Sequence, residues 1–227
     1  MRKENLTKAT PPVIRGAIFD LDGTIIDSAE GIMNSFAYTF ERLGLPVPPR
    51  KEMGIFIGPP LLYSFEEICG LGREGAREAV EIYREYFGKY GVYQNSIYAG
   101  MEKLLSDLRA QGKTLLLATS KYELYALQIL EELGIAKYFA FIAGSLKDGA
   151  RGTKAEVISY VLEMAGAKKE SAVMVGDRMH DTAGALEVGV DSIGVLWGYG
   201  SREELLGGGA THIAEIPEGV LSIVCGK

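Results

Sequence analysis

Asp20 and Asp22 close the apolar run of AIFDLDGTIID, residues 17–27. Carboxylates that near one another repel, and burying them is costly without a compensating charge. Similar polar termini recur along the chain. GKTLLLATSK carries Thr119 and Ser120 near its end, and SAVMVGDRMHD carries Asp177 with Asp181 four residues later. If these runs are neighbouring strands, their carboxylates meet at one edge and need a cation to join them. The two histidines, His180 and His212, lack metal-ligand spacing, and the two cysteines, Cys69 and Cys225, form no CxxC pair. Oxygen-only donors favour Mg²⁺ over zinc or copper, and Mg²⁺ held by a few carboxylates completes its shell with water and substrate phosphate.

The neighbouring residues suit a phosphate. Ser120 is expected to open a helix whose free N–H groups favour an anion, and Thr119 adds a hydroxyl donor. Lys154 falls in a helical first turn, where the macrodipole disfavours a cation, so it needs a negative partner. A phosphate beside Asp177 would supply one. Each residue also has a structural reading. Asp27 reads as a helix cap; Ser120 and Asp181 suit either a cap or the site. A lone Lys154 reads as surface and His180 as an exposed loop residue. Tyr83, Tyr86, Phe87, Tyr90 and Tyr93 read as helix packing rather than base stacking.

Five apolar runs are expected to form strands buried on both faces: VIRGAIFDLDG, GKTLLLATSK, YFAFIAGS, SAVMVGDRMHD and DSIGVLWGYG. Amphipathic stretches alternate with them. Residues 121–133 place Leu124, Leu127, Leu130 and Leu133 three apart, on one expected face; residues 154–165 turn Val157, Ile158, Val161 and Leu162 inward. Asp27–Glu30, Ser120–Glu123, Thr153–Glu156 and Ser201–Glu204 fit the capping-box spacing. The alternation predicts an α/β doubly wound, Rossmann-like core with a parallel sheet, whose strand ends bind ligand. Residues 28–94 break it. They read as an inserted helical domain, with residues 1–27 and 95–227 forming the core and the loop around Phe56–Pro60, including Gly58 and Pro59, as the candidate substrate contact.

Of 227 residues 47% are hydrophobic and 24% charged, enough for a core without a metal or disulfide staple. A net charge of −6 argues against a nucleic-acid polymer as partner. No apolar run approaches transmembrane length, and the N-terminus lacks the apolar stretch of a secretory signal. Both cysteines read as reduced thiols of a cytoplasmic protein, and residues 1–12 as a frayed tail. The absence of GxxxxGK[ST] argues against a P-loop kinase.

DLDGT (20–24), LLLATS (115–120), GTKAE (152–156) and GDRMHD (176–181) resemble the four ordered motifs of the haloacid dehalogenase superfamily. The helical insertion resembles that of its small-cap subclass, which includes phosphoglycolate phosphatases. This resemblance implies that Asp20 is the nucleophile that becomes an aspartyl phosphate. Asp22 would protonate the leaving oxygen and then deprotonate water, its backbone carbonyl binding Mg²⁺. Thr119 and Lys154 would hold phosphoryl oxygens, with Lys147 a weaker competitor for the lysine role. Asp177 would bind the metal, and Asp181 would support metal waters or Lys154. Near Mg²⁺ and Lys154, Asp20 is expected to have a depressed pKa. The implied activity is Mg²⁺-dependent hydrolysis of a small phosphomonoester by a monomer or homodimer. Phosphoglycolate is the first candidate and a nucleoside monophosphate the second. A sugar phosphomutase of the same superfamily stays open, while a receiver domain and a vestigial binding protein are disfavoured.

Overall fold

The computed structural model describes residues 15–226; the expected tail at residues 1–12 lies outside them. One sheet holds β1 (Gly16–Phe19), β4 (Thr114–Tyr122), β5 (Phe141–Ser145), β6 (Ala172–Gly176), β7 (Asp191–Val195) and β8 (His212–Ala214). All its pairings are parallel, in the order β5-β4-β1-β6-β7-β8. The chain builds outward from β1 on one side through β4 and β5, then returns to build β6, β7 and β8 on the other. The point where the strand order reverses therefore lies at the carboxyl end of β1, the position of Asp20 and Asp22.

Alternate strand residues feed two cores, as a period of two requires. Phe19, Leu115, Leu117 and Val175 pack towards α4 (Met101–Ala110), α5 (Glu123–Glu132) and α9 (Pro217–Cys225). Ile18, Leu116 and Met174 pack towards α6 (Lys154–Ala165) and α7 (Met179–Val188). The inward set expected of residues 154–165 is buried in full. The face expected of residues 121–133 is corrected. Leu124 and Leu127 are exposed, and of the expected set α5 fully buries only Leu130, together with Ala126 and Ile129. Residues three apart lag by about 60° per step at 3.6 residues per turn, so Leu124 and Leu133 end on opposite sides. The sixth strand, β8, was not among the expected runs; three residues give too short a pattern to stand out.

Between β1 and β4 the chain makes a helical excursion. It holds α1 (Ala29–Arg42), a 3₁₀ turn at Arg50–Phe56, α2 (Leu61–Tyr63, continued by a π turn at Ser64–Ile68) and α3 (Gly72–Lys89). The two strands that bound it, β2 (Ile26–Asp27) and β3 (Ser96–Ile97), pair antiparallel, so both crossings share one place. Its interior is aromatic. The Phe36 ring stacks on Phe56 at 4.3 Å and meets Phe65 and Tyr83 at 4.8 and 5.2 Å. Tyr83 and Phe87 are buried in this packing, whereas Tyr90 and Tyr93 are exposed, so the expected packing role holds for part of that cluster. Near the end of the chain a short helix, α8 (Arg202–Gly207), starts at Ser201, whose hydroxyl accepts from the Glu204 N–H.

Candidate active site

The strand ends bring the expected carboxylates together. Asp20 follows β1 and Asp177 follows β6, while Asp181 lies in the first turn of α7. Ligand atoms of Asp20, Asp177 and Asp181, all buried, lie within 4.8 Å of one another. Gly23 makes room for them. Its φ of +80° suits glycine, and a Cβ there would stand 2.1 Å from an Asp177 oxygen. Asp177 is fixed from two sides: Thr24 Oγ1 donates to Oδ1 at 3.2 Å, and the Tyr199 N–H to Oδ2 at 2.8 Å.

Lys154 is the first residue of α6, where Thr153 and Glu156 form the expected capping box. Its ammonium is buried 2.7 Å from both Asp20 Oδ1 and Asp181 Oδ1, and also donates to the Ala118 carbonyl at 3.2 Å. These carboxylates supply the negative partner that its position demanded. Asp181 caps α7 and also joins the carboxylate group: its Oδ2 accepts from the Arg178 N–H at 3.0 Å while its Oδ1 pairs with Lys154. Lys147, the competitor, stays 63% exposed and pairs with Glu81.

Burial pushes the Asp20 carboxyl up to about 6, with Lys154 opposing the rise and Asp181 and Asp22 adding to it. The depressed value expected of Asp20 is therefore not produced by Lys154 alone. Burial, followed by Asp181 and Asp20, holds Asp177 well above the ordinary carboxylate range. For Lys154 burial opposes the charge, but Asp181 and Asp20 outweigh it and raise its pKa. When all groups are ionised, Asp20, Asp22, Asp177 and Asp181 outnumber Lys121 and Lys154 by two charges. The donors are hard oxygens and the excess matches one divalent cation, so the residues fit Mg²⁺.

Two expectations change, and the place of the Asp22 side chain becomes visible. Ser120 does not open a helix: β4 runs on to Tyr122, and that residue precedes α5. Ser120 still lines the cleft, and its hydroxyl is buried without a hydrogen-bond partner. His180 lies in the first turn of α7 rather than in a loop and is half-buried, with the Tyr63 ring 6.2 Å away in edge-on contact. The Asp22 carboxylate stands outside the three-carboxylate group; Lys121 Nζ holds its Oδ2 at 2.9 Å. Lys121 was missed, although it directly follows Thr119 and Ser120 in the LLLATSK run. Thr24 and Tyr199 were missed as well, and only a view of the folded loops shows that they converge on Asp177.

Thr119 is buried and, with Asp20, Asp22 and Lys154, lines a cleft of about 1090 Å³. The excursion forms the opposite wall. Gly58 and Pro59 lie along it, and the preceding Ile57 carbonyl accepts a hydrogen bond from the Arg178 guanidinium. Arg73, Arg77 and Arg84 of α3 face the same space. Among the described residues no helix is long and apolar enough to cross a membrane, and Cys69 and Cys225 are free.

Residues 17–195 match the model of the haloacid dehalogenase-like hydrolases. A 5′-nucleotidase from Pseudomonas aeruginosa is 42% identical over 195 residues, covering 86% of this chain and 88% of the relative. A protein from Mycobacterium tuberculosis named tyrosine-protein kinase PtkA is 44% identical over 186 residues. That match covers 82% of this chain and 63% of the relative's own length. A crystal structure of a predicted phosphatase from Clostridium acetobutylicum superposes with a TM-score of 0.92 at 40% identity, covering 95% of this chain and all of that one.

Proposed function

The chain belongs to the haloacid dehalogenase-like hydrolases, and from that premise we propose that it is a Mg²⁺-dependent phosphatase acting on a small phosphomonoester. The observation that carries this reading is Lys154, buried 2.7 Å from both Asp20 and Asp181, with Asp177 completing the carboxylate group. A cation held by Asp20, Asp177 and the Asp22 backbone carbonyl, with Asp181 in support, would neutralise phosphoryl charge and orient the phosphate. Asp20 is the nucleophile, and Lys154 and Thr119 hold the phosphoryl oxygens, with Ser120 beside them. Asp22 gives its proton to the leaving oxygen and takes one back from the hydrolytic water. Positioning and charge stabilisation account for most of what phosphoryl transfer needs.

Residues 28–94 serve as a cap that excludes water and selects the leaving group, with Gly58 and Pro59 at the contact. A nucleoside monophosphate suits the cleft better than phosphoglycolate. The space far exceeds the smaller ester, aromatic side chains such as Tyr63 and Tyr122 line it, and one relative is named a 5′-nucleotidase. The kinase-named relative extends well beyond the matched region, so its activity is not carried over. The free cysteines suit a cytoplasmic setting.

The test is a phosphate-release screen over nucleoside monophosphates, phosphoglycolate, sugar phosphates and pyrophosphate, with Mg²⁺ and with EDTA. Release from a nucleoside monophosphate that EDTA abolishes is expected. Preference for phosphoglycolate would overturn the substrate choice, and undiminished release in EDTA would overturn the metal.

A further inference from the structure

Strand β4 is irregular where it enters the site. Its pairing with β5 advances four residues, Ala118 to Tyr122, while β5 advances two, Ala143 to Ser145. Thr119, Ser120 and Lys121 occupy the bulge, and bulges re-aim side chains near active sites. Gly144 permits it, because a Cβ there would stand 2.4 Å from the Lys121 carbonyl oxygen. The Lys121 N–H donates to Thr119 Oγ1 at 3.3 Å, so the loop is tied to a residue of the site.

The bulge sends the Lys121 side chain inward. Its ammonium lies 2.9 Å from Asp22 Oδ2, with the two side chains only 7% and 9% exposed. Asp22 Oδ1 is buried and has no hydrogen-bond partner, on a residue that lines the cleft. One carboxyl oxygen is therefore anchored and the other left for a further partner. Lys121 also sits over the ring of Phe87 at 4.5 Å, and Phe87 belongs to α3 of the insertion. A buried ammonium gains from an aromatic face as well as from its carboxylate. The core cation thus touches the insertion and Asp22 at once.

We propose that Lys121 is a positioning residue for proton transfer: it fixes Asp22 with Oδ1 directed to the leaving group, and it does so with the insertion closed, when Phe87 covers it. The inference rests on the acid–base role of Asp22 given above. In the first half-reaction the bond from phosphorus to the leaving oxygen breaks, a bond from Asp20 to phosphorus forms, and the Asp22 proton goes to the leaving oxygen. In the second, water bonds to phosphorus, its proton goes to Asp22, and the bond from Asp20 to phosphorus breaks. Lys121 keeps its protons throughout.

The experiment compares phenyl phosphate with p-nitrophenyl phosphate, whose leaving group departs as a stable anion and needs little protonation. Leaving-group release is followed in single turnovers with Mg²⁺ present, for the wild type and the Lys121→Met, Lys121→Gln and Asp22→Asn variants. Loss of a positioned general acid is selective for the poorer leaving group, and general acids contribute about 10²–10⁴-fold. Lys121→Met is expected to lose about 30-fold on phenyl phosphate and less than about threefold on p-nitrophenyl phosphate, the lower loss reflecting retained binding. Lys121→Gln, which keeps a hydrogen bond, is expected to show the same bias more weakly and serves if the methionine variant does not fold. Equal losses on both esters, or no loss, overturn the proposal. Asp22→Asn separates the two claims. If it is selective and the Lys121 variants are not, the positioning role falls alone; if it is itself unselective, the acid–base role of Asp22 falls first.

Discussion

The two walls of the cleft are built on opposite physical terms. On the sheet side, charged groups are buried and interlocked: Lys154 joins Asp20 to Asp181, and Asp177 is held by Thr24 and Tyr199. On the insertion side, the buried groups are rings around Phe36, while Arg73 and Arg77, which face the cleft, are exposed and of the arginines there only Arg84 is largely covered. An interlocked charge network fixes geometry within narrow limits, which suits a reaction that depends on positioning. An apolar core with exposed polar tips fixes only its own shape and holds its surface residues less tightly.

Breaking the sheet-side wall should have the largest effect. Asp20→Asn removes the proposed nucleophile while keeping its shape, so steady-state turnover should fall about 10⁴-fold or more with the circular dichroism spectrum retained. Full activity in that variant would refute the assignment. Lys154→Met should lower turnover by about 10²–10³-fold. It should also destabilise the fold by about 3–5 kcal/mol, because two buried carboxylates lose their shared cation. A chemical denaturation curve measures that cost, and an unchanged midpoint would show that the charges find other partners.

Breaking the other wall should cost stability rather than chemistry. Phe36→Ala leaves a cavity among four rings, and a loss of about 3–5 kcal/mol is expected. Mg²⁺ should still raise the melting temperature of this variant, since no metal-group residue has changed. Loss of that response would mean that the two walls are not separable.

The pH response sharpens the contrast further. In the metal-free protein Asp20 titrates at about 6, above its ordinary 3.8. The folded state then keeps a proton that the unfolded chain has already released. Its contribution to stability is full below that ordinary value and is lost as pH rises through about 6. A cation bound at Asp20 would take the place of the proton. The rise in melting temperature on adding Mg²⁺ should therefore be larger by several degrees at about pH 7.5 than at about pH 5. Equal rises would place the cation away from Asp20. The smallest effect is expected at Arg77→Ala, an exposed residue of the insertion wall: about a threefold rise in KM for a nucleoside monophosphate, with kcat nearly unchanged.

The sheet-side wall was the legible one. Apolar runs that end in Asp20, Thr119 and Asp177 announce both a parallel sheet and the convergence of its ends. Lys154 was legible through an electrostatic conflict, a cation at a helix start. What the sequence hid depends on local geometry. The bulge that moves Ser120 off a helix start and sends Lys121 to Asp22 needs Gly144 across the strand pair, a contact without sequence spacing. Leu124 and Leu127 share a three-residue spacing with Leu130, yet only the helical phase decides which of them face the core. Thr24 and Tyr199 meet Asp177 through loops, where no periodicity announces a partner.

The most direct test is to trap the phosphorylated enzyme. The protein is mixed with labelled phosphomonoester and Mg²⁺, quenched in acid within one turnover, reduced with borohydride and mapped by mass spectrometry. The account predicts that residue 20 is recovered as homoserine, the reduction product of an aspartyl phosphate. Rapid phosphate release with Asp20 unmodified, or with the label on another side chain, would contradict it.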